Sequence, residues 1–491
     1  MHKHIRIALA SAAAVALTGG LLSLSTGSAM AADSTHVAQA DFNGDGLGDI
    51  AEAAGNATVS TRSGAGQIVV LYGTTGGINA TTPRQTLSQN STGVPGTAET
   101  NDGFGWTSAY GDFNHDGYDD LAVGAAKEDV DGDTDGGTVA VLWGSATGLK
   151  TGVTIKDPAV SSHDKWGDSL AAGDFDGDGK DDLAIGSTAS TIYVYKGGIT
   201  STGTSSGRYT VKPPLQSGGG AGPLMLTAGD VNGDHRTDLV VDGFEQSETG
   251  WNMNYFIPGT ATGLSVSDGQ RLKPGVITDI GDVNGDGFGD IVTGIDWDAV
   301  ESGRDLPDAH KGGQVYVTYG SVDGPVATEA INQDSGDIPG ASETDDMFGS
   351  ELSLGDIDGD GLLDLAIGAP GEDLNGVKDA GSVTVLYGTG GGAGLGTTDR
   401  VQYFTQNTPY VPNQNETNDG FGGEVKLDDV NGDGKADLIA SSPWENTGNG
   451  NLTYLRSNGT QITTDGAKAI DPTDVGVDTA GYPDFGANAA N

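Results

Sequence analysis

Short apolar runs alternate along the chain with clusters of Gly, Asp and Asn. Typical runs are DLAVGAA at 120–126, GTVAVLWG at 137–144, DLAIGAP at 364–370 and GSVTVLYG at 381–388. No stretch sustains the 3.6-residue apolar period of an amphipathic helix. Short runs rich in β-branched and aromatic residues and bounded by turn residues are typical of strands. The pattern therefore predicts an all-β fold.

The strand pattern is organised as a repeat around one acidic segment of nine residues. This segment has Asp or Asn at positions 1, 3, 5 and 9 and begins at Asp41, Asp112, Asp174, Asp230, Asp282, Asp356 and Asp429. A long period of this kind indicates repeated supersecondary units. Each unit is interpreted as four short strands, with the acidic segment forming the hairpin loop between the first two. The prediction is a seven-bladed β-propeller of four-stranded antiparallel blades over residues 33–491.

The flanks of the acidic segment carry a family resemblance. A Phe-Gly or Trp-Gly pair precedes several segments, at Phe104-Gly105, Trp166-Gly167, Phe348-Gly349 and Phe421-Gly422, and IGAPGED follows one at 367–373. These features resemble FG-GAP repeats, which build the propeller at the head of integrin α subunits. Units 4 and 5 match least, because neither has a clear Phe-Gly pair. The resemblance implies an adhesion-type binding module.

The way in which the ring closes is left open by the sequence. The tail contains another Phe-Gly pair, Phe485-Gly486, which in register would complete the first unit. Residues 487–491 and 35–39 would then claim the same strand positions. Either terminus is therefore a candidate for the first strand of the first blade.

Composition narrows the classes of partner. The chain has 69 acidic against 23 basic residues, a formal net charge of −46, and no cysteine. Such a charge argues against a nucleic acid, whose phosphates need a basic surface, and against an anionic membrane surface. It favours cations. The absence of cysteine excludes disulfides and thiol chemistry.

Residues 1–32 have the pattern of a secretory signal peptide. His2, Lys3, His4 and Arg6 precede an apolar stretch, and Ala29-Met30-Ala31 supplies a small-x-small cleavage pattern. The alternative is a membrane anchor, but Gly19-Gly20 interrupts the stretch. The prediction is a secreted, extracellular protein without a membrane span after cleavage.

The acidic segments are predicted to bind Ca²⁺, at about seven sites. Oxygen ligands in a tight loop suit a hard cation, and Ca²⁺ accepts six to eight of them in flexible geometry. The alternative, solvated Asp and Asn turns, does not explain seven matches at four positions. The predicted ligands are Asp41, Asn43, Asp45, Asp49, Asp112, Asn114, Asp116, Asp120, Asp174, Asp176, Asp178, Asp182, Asp230, Asn232, Asp234, Asp238, Asp282, Asn284, Asp286, Asp290, Asp356, Asp358, Asp360, Asp364, Asp429, Asn431, Asp433 and Asp437.

Two details of the loops lead to separate expectations. Position 6 is Gly in six loops, as a turn with positive φ requires, but it is His235 in the loop Asp230–Asp238, which we therefore expect to be the weakest site. His115 is at a variable position and should face solvent. An EF-hand would need Glu at position 12 and flanking helices, and only Glu52 matches, by coincidence.

Long variable loops should carry a partner on the face opposite the acidic loops. These are 125–137, 294–313, 369–381 and 442–450, and Lys127, Trp297, Arg304 and Trp444 are the candidate contacts. The alternative is that these side chains merely cover the blades. The repeated pairs Glu99/Asp102, Glu343/Asp346 and Glu416/Asp419 are interpreted as structural, not as glycosidase carboxylates.

Two functional hypotheses from different classes follow. The first is a secreted calcium-binding propeller that binds an extracellular protein or glycan, and the second is a secreted hydrolase with its site at the channel mouth. GDSL at 167–170 matches an esterase nucleophile block, but Ser169 occupies a position that the repeat already explains. A purely structural surface component is a third option. Ligand identity and oligomeric state are not specified by the sequence.

Overall fold

The structure is a computed structural model that describes residues 37–218, 220–246, 252–301, 304–306 and 308–490. The predicted signal peptide, residues 1–32, lies outside the described residues. Among those described, no helix is long and apolar enough to cross a membrane. The seven-bladed, all-β propeller predicted from the sequence is confirmed.

Each blade is an antiparallel sheet in which every strand pairs with the next along the chain. The strands are, for blade 1, Ile50–Ala54, Gln67–Leu71 and Arg84–Leu87; for blade 2, Thr107–Gly111, Asp120–Ala125, Thr138–Leu142 and Gly152–Ile155; for blade 3, Leu170–Gly173, Asp182–Ile185, Ile192–Tyr195 and Arg208–Val211; for blade 4, Pro223–Gly229, Asp238–Phe244, Asn252–Ile257 and Gln270–Arg271; for blade 5, Ile277–Gly281, Asp290–Ile295, Gln314–Tyr319 and Ala327–Ile331; for blade 6, Glu351–Gly355, Asp364–Ala369, Ser382–Leu386 and Gln402–Phe404; and for blade 7, Val425–Asp428, Asp437–Ser441, Leu452–Leu455 and Lys468–Ile470.

Small additional elements lie in the connections between these strands. Two short ribbons pair Val300–Glu301 with Arg304–Asp305 and Gly388–Thr389 with Gly394–Leu395. A 3-10 helix spans Val266–Asp268, and a tight turn in which Asn446 and Thr447 have positive φ spans Glu445–Gly448. Successive hairpins alternate between the two faces of the ring. One face carries the acidic loops and is called the loop face, and the other carries the Phe-Gly pairs and is called the FG face.

Both termini contribute to the first strand of blade 1, which resolves the alternative left open by the sequence. Ala489 forms a bridge with Glu52, and the Ala490 amide donates to Ala51 at 2.9 Å. Near the acidic loop, the N-terminal segment occupies this first-strand position, where the Asp49 amide donates to the carbonyl of Ala40 at 2.7 Å. The two segments thus share the position end to end, and the C-terminal one closes the ring.

The Phe-Gly pairs bind neighbouring blades together. Phe104, 1% exposed, packs in the apolar cluster that joins Ile68 and Val70 of blade 1 to Val123 of blade 2. The amide of Gly105 donates to the second strand of its own blade. Phe348, Phe421 and Phe485 are equally buried and form parallel bridges with Gly313, Gly381 and Gly450 of the preceding blade. Each pair therefore sets where a first strand begins.

A side-chain bond is repeated in three interblade linkers on the FG face. In each, a linker Gln donates from Nε2 to a Glu that follows the second strand of the next blade, and burial raises the pKa of that Glu to about 7. The three bonds, which we call the Gln–Glu clasps, are Gln89–Glu128, Gln333–Glu372 and Gln406–Glu445, at 2.6, 2.5 and 2.6 Å. In the same linkers Asp102, Asp346 and Asp419 accept the amides of Glu99, Glu343 and Glu416, as a structural role requires.

Candidate metal loops and binding face

The first Asp of each acidic loop folds the loop around its own carboxylate. In the first loop, Asp41 accepts the amides of Gly44 at 2.7 Å, Asp45 at 3.1 Å and Gly46 at 2.9 Å. Asp282 and Asp429 repeat this pattern in their loops. The side chains at positions 3 and 5 accept amides two residues further on, as Asn43 and Asp45 do. The loop is therefore held by its own oxygen atoms.

Position 6 has the left-handed backbone conformation that the sequence predicts. Gly46 has φ of 80°, and His235 of the fourth loop has φ of 62°. A residue with a Cβ is disfavoured in this region, although His tolerates it better than most. His115 is exposed, as expected. Glu52 lies within a strand of blade 1 with 0% of its surface exposed, so it is not part of a calcium loop.

The ninth residue anchors the loop to the rest of its blade. Asp364 is 1% exposed, and its two carboxylate oxygens accept the amides of Ile357 and Gly388, both at 2.9 Å. Asp49 and Asp238 make the equivalent pair of bonds. Burial raises the pKa of Asp364 to about 8 and that of Asp120 to about 9, because desolvation disfavours the charged form. A nearby divalent cation would oppose this shift.

The donor set fits a hard cation. One carboxylate oxygen from each of Asp174, Asp176 and Asp178 lies within 4.8 Å of the others, and the same holds for Asp356, Asp358 and Asp360. Three buried oxygens at predicted ligand positions have no hydrogen-bond partner: Asn114 Oδ1, Asn284 Oδ1 and Asp182 Oδ2. Leaving a buried acceptor unpaired is costly, and cation coordination would satisfy it. These oxygens, with the position-1 and position-5 carboxylates, would hold Ca²⁺ in these loops.

Basic side chains contact ligand carboxylates in some loops. Lys196 pairs with Asp176, Arg236 with Asp234 at 2.9 Å, and Arg400 with Asp358 at 2.6 Å. Each of these contacts is made to one carboxylate oxygen. The cation in these loops would therefore share its carboxylates with a protein cation.

The acidic loops also contact one another around the ring. At five junctions between blades, the residue at position 8 of one loop donates its amide to the carbonyl of the position-1 Asp in the preceding blade. Such bonds run from Gly48 to Asp429, Asp119 to Asp41, Thr237 to Asp174, Leu363 to Asp282 and Ala436 to Asp356, at 2.7 to 3.3 Å. The first of them spans the closure between blades 7 and 1. Order in one loop is therefore coupled to order in its neighbours.

Comparison with protein-family models assigns these repeats. Models described as "FG-GAP repeat" match residues 104–142, 348–386 and 421–455, and one described as "FG-GAP-like repeat" matches residues 174–241. The chain therefore contains FG-GAP repeats. The resemblance stated from the sequence is confirmed.

The proteins to which this chain is similar include integrin α subunits. It is 28% identical over 277 residues to integrin alpha-PS2 of Drosophila melanogaster, which is 55% of this chain and 15% of that protein. It is 28% identical over 271 residues to integrin alpha pat-2 of Caenorhabditis briggsae, covering 55% and 18%. Phosphatidylinositol-glycan-specific phospholipase D of Mus musculus matches at 34% over 149 residues, covering 30% and 17%. The chain thus spans less than a fifth of each of these relatives.

The candidate partner contacts lie on three different blades of the FG face. Lys127 is exposed on blade 2, and Trp297 of blade 5 is half-buried, with no hydrogen-bond partner for its Nε1. Trp444 on blade 7 is 44% exposed. The side chain of Arg304 lies outside the described residues. The structure does not bring Lys127, Trp297 and Trp444 together in one blade.

Ser169 of the GDSL segment has a structural environment. It is 3% exposed, and its hydroxyl donates to the carbonyl of Pro223 in the next blade at 3.0 Å. Asp33 and His36, which have the spacing of that esterase family's Asp–His pair, lie outside the described residues. Ser169 therefore joins blade 3 to blade 4.

The first strands line a central cavity of about 970 Å³. Lys426, Glu351 and Glu424 border it, and burial raises the pKa of Glu424 to about 7. Lys426 donates to the carbonyl of Ala490 in the closing segment at 3.2 Å. The sequence pattern does not indicate these residues, because only the ring arrangement of the blades brings them together.

Proposed function

We propose that the protein is a secreted, calcium-binding FG-GAP propeller that binds an extracellular protein or glycan as an adhesion-type module. The observation that carries the proposal is the set of seven pre-organised acidic loops on one face, with backbone hydrogen bonds between five pairs of neighbouring loops. Such a scaffold holds the loops of the opposite face in fixed positions, where binding residues usually lie. The similarity to integrin α subunits supports a binding role.

Export is part of this proposal. The pattern of residues 1–32 supports a cleaved signal peptide. Extracellular calcium is abundant enough to fill sites of modest affinity, so weak loops such as Asp230–Asp238 would still be occupied. In this function the cation stabilises the scaffold, and the FG face makes the contacts.

The test is a binding array of extracellular matrix proteins and glycans, probed with the purified protein in millimolar calcium and in excess EDTA. We expect at least one ligand to bind in calcium and to be released in EDTA. Binding to no ligand in either condition would contradict the proposal. Ligand binding that is unaffected by EDTA would contradict the calcium dependence alone.

A hydrolase is the second candidate. It is favoured by the partial match to phosphatidylinositol-glycan-specific phospholipase D and by the buried carboxyl groups at the central cavity. A panel of esterase, phosphodiesterase and glycosidase substrates tests it. Turnover that is abolished by Glu424→Gln, with the melting temperature unchanged, would establish the hydrolase over the binding module.

A further inference from the structure

Exposed aromatic side chains are concentrated in one sector of the FG face. Among the described residues, the aromatic side chains more than a third exposed are Tyr410, Tyr482 and Trp444, at 81%, 61% and 44%. Tyr410 belongs to the linker from blade 6 to blade 7, Trp444 to blade 7, and Tyr482 to the segment that enters the closing strand. We call the three residues and the segments 405–420, 442–450 and 471–486 the aromatic sector.

The three segments of the aromatic sector contact one another. Gln406 binds Glu445 beside Trp444, and the ring of Trp444 covers Gly420, where a Cβ would come within 2.4 Å of it. On the other side of the same turn, a Cβ at Gly448 would lie 3.2 Å from that of Tyr482. The sector is thus one continuous surface that spans the closure of the ring.

The backbone conformation disfavours Tyr at two of these positions. Tyr410 and Tyr482 have φ of 73° and 60°, a region in which bulky residues are true outliers. The position of Tyr410, four residues after the clasp Gln, is Gly93 in the linker to blade 2, with φ of 91°, and Asp337 in the linker to blade 6, where φ is not positive. The position of Tyr482, three residues before the Phe of the Phe-Gly pair, is Asn101, Asp345 or Asn418 elsewhere, with φ of 64° to 71°. Strain maintained on an exposed surface indicates a function there.

The charge of the sector selects the class of partner. The three segments contain no Lys, Arg or His, and their acidic residues are Glu416, Asp419, Glu445, Asp471, Asp474, Asp478 and Asp484. Cationic side chains stack favourably on exposed Trp and Tyr rings, and a surrounding negative field attracts them. An anionic glycan or nucleic acid would be repelled.

We propose that the aromatic sector docks a Lys- or Arg-bearing segment of a protein partner, whose cations stack on Tyr410, Trp444 and Tyr482. This inference rests on the proposed binding function and names the surface and the chemistry of the partner. The two Tyr side chains supply flat contact area, and Glu416 and the other exposed carboxylates supply the ionic rim.

The test uses calorimetric titration of the full calcium-saturated chain with a nona-arginine peptide at 150 mM salt, where charges more than about 8 Å apart are largely screened. The variant Tyr410→Gly with Tyr482→Asn introduces the residues that the blade 2 linker has at these positions, Gly93 and Asn101. We expect its Kd for the peptide to rise at least tenfold, while its melting temperature equals or exceeds that of the wild type. Val322→Ser, which removes a 73% exposed side chain on the loop face, should leave Kd within twofold.

A second pair of variants separates local from diffuse charge. Glu416→Gln should weaken binding of the peptide. Glu99→Gln, which removes the equivalent carboxylate of the blade 2 linker, should not. Equal effects of these two variants, an unchanged Kd in the double Tyr variant, or a fall in its melting temperature would overturn the inference. If the double Tyr variant no longer bound a neutral hexasaccharide that the wild type binds, but still bound the peptide, the aromatic sector would be assigned to glycan binding instead. If a ligand from the binding array binds the double Tyr variant as tightly as the wild type, the proposed binding function would hold but the docking role of the aromatic sector would not.

Discussion

At the residue scale, the acidic loops combine two roles that their spacing alone does not separate. The spacing of Asp and Asn predicts oxygen ligands, and the orphaned oxygens at Asn114, Asn284 and Asp182 agree with that chemistry. The hydrogen bonds that the ninth Asp accepts from backbone amides just after the third strand of its blade were not predictable from the sequence. Asp49 accepts the amide of Gly73, 24 residues away, and only the sheet brings those residues together.

The two roles can be separated in the sixth loop. Asp364→Ala removes a buried carboxylate that accepts two backbone amides, so it should lower the free energy of unfolding by about 2 to 3 kcal/mol even in EDTA. Asp360→Ala, in the same loop but exposed, should destabilise clearly only in calcium. Urea unfolding in both conditions measures this. Equal effects of Asp360→Ala with and without calcium would exclude Asp360 as a ligand.

The fourth loop provides a prediction about backbone strain. His235→Gly relieves a left-handed conformation and should raise the free energy of unfolding by roughly 1 kcal/mol and tighten calcium at that loop. Gly179→His is the reverse change in the third loop, where nothing lies within 4 Å of the added Cβ. It should destabilise by a similar amount. Calcium titration and urea unfolding of both variants check the pair, and equal stability of all three proteins would contradict the expectation.

At the element scale, the pattern of short runs was sufficient to predict the blades. It could not show which terminus completes blade 1, because the two segments that share the first strand are separated by almost the entire chain. Their places depend on hydrogen bonds, such as that from Ala490 to Ala51, that form only when the ring closes.

The closing strand should therefore behave as core, although chain ends commonly fray. Phe485 is 0% exposed and packs with residues of blades 1 and 7. Phe485→Ala should cost about 3 to 5 kcal/mol, as a buried Phe does elsewhere, and Phe104→Ala serves as the internal reference. Both are measured by urea unfolding. A cost below about 1 kcal/mol for Phe485→Ala would mean that the tail does not hold the ring.

The Gln–Glu clasps make stability depend on pH. Burial raises the pKa of Glu128, Glu372 and Glu445 from the ordinary 4.5 to about 7. Below pH 4.5 these Glu side chains are protonated in both the folded and the unfolded protein, and their full contribution to the free energy of unfolding is present. That contribution is lost as the pH rises through 7, because ionisation is disfavoured only in the folded protein. The triple variant Glu128→Gln, Glu372→Gln, Glu445→Gln keeps an acceptor for each Gln but cannot ionise.

Urea unfolding in saturating calcium at pH 5 and pH 8 compares this variant with the wild type. The wild type should lose more stability than the variant between the two pH values. Parallel pH profiles would show that these carboxyl groups remain ionised when buried.

At the scale of the whole molecule, the negative charge of the chain is concentrated by its ring shape. A chain with a formal net charge of −46 places many of its carboxylates in seven loops on one face of a closed ring, and backbone hydrogen bonds join five pairs of neighbouring loops. Like charges at this density repel until divalent cations lie among them. Each bound ion also stabilises the folded state by mass action, by about 2.7 kcal/mol when its concentration is 100 times Kd.

Calcium-dependent thermal unfolding tests this claim most directly. Melting of the full chain is recorded in excess EDTA and in a calcium series up to several millimolar, with magnesium at the same concentrations as the control. The account predicts a melting temperature that rises steeply with calcium and much less with magnesium, which requires stricter octahedral geometry. The same melting temperature in EDTA and in millimolar calcium would contradict it.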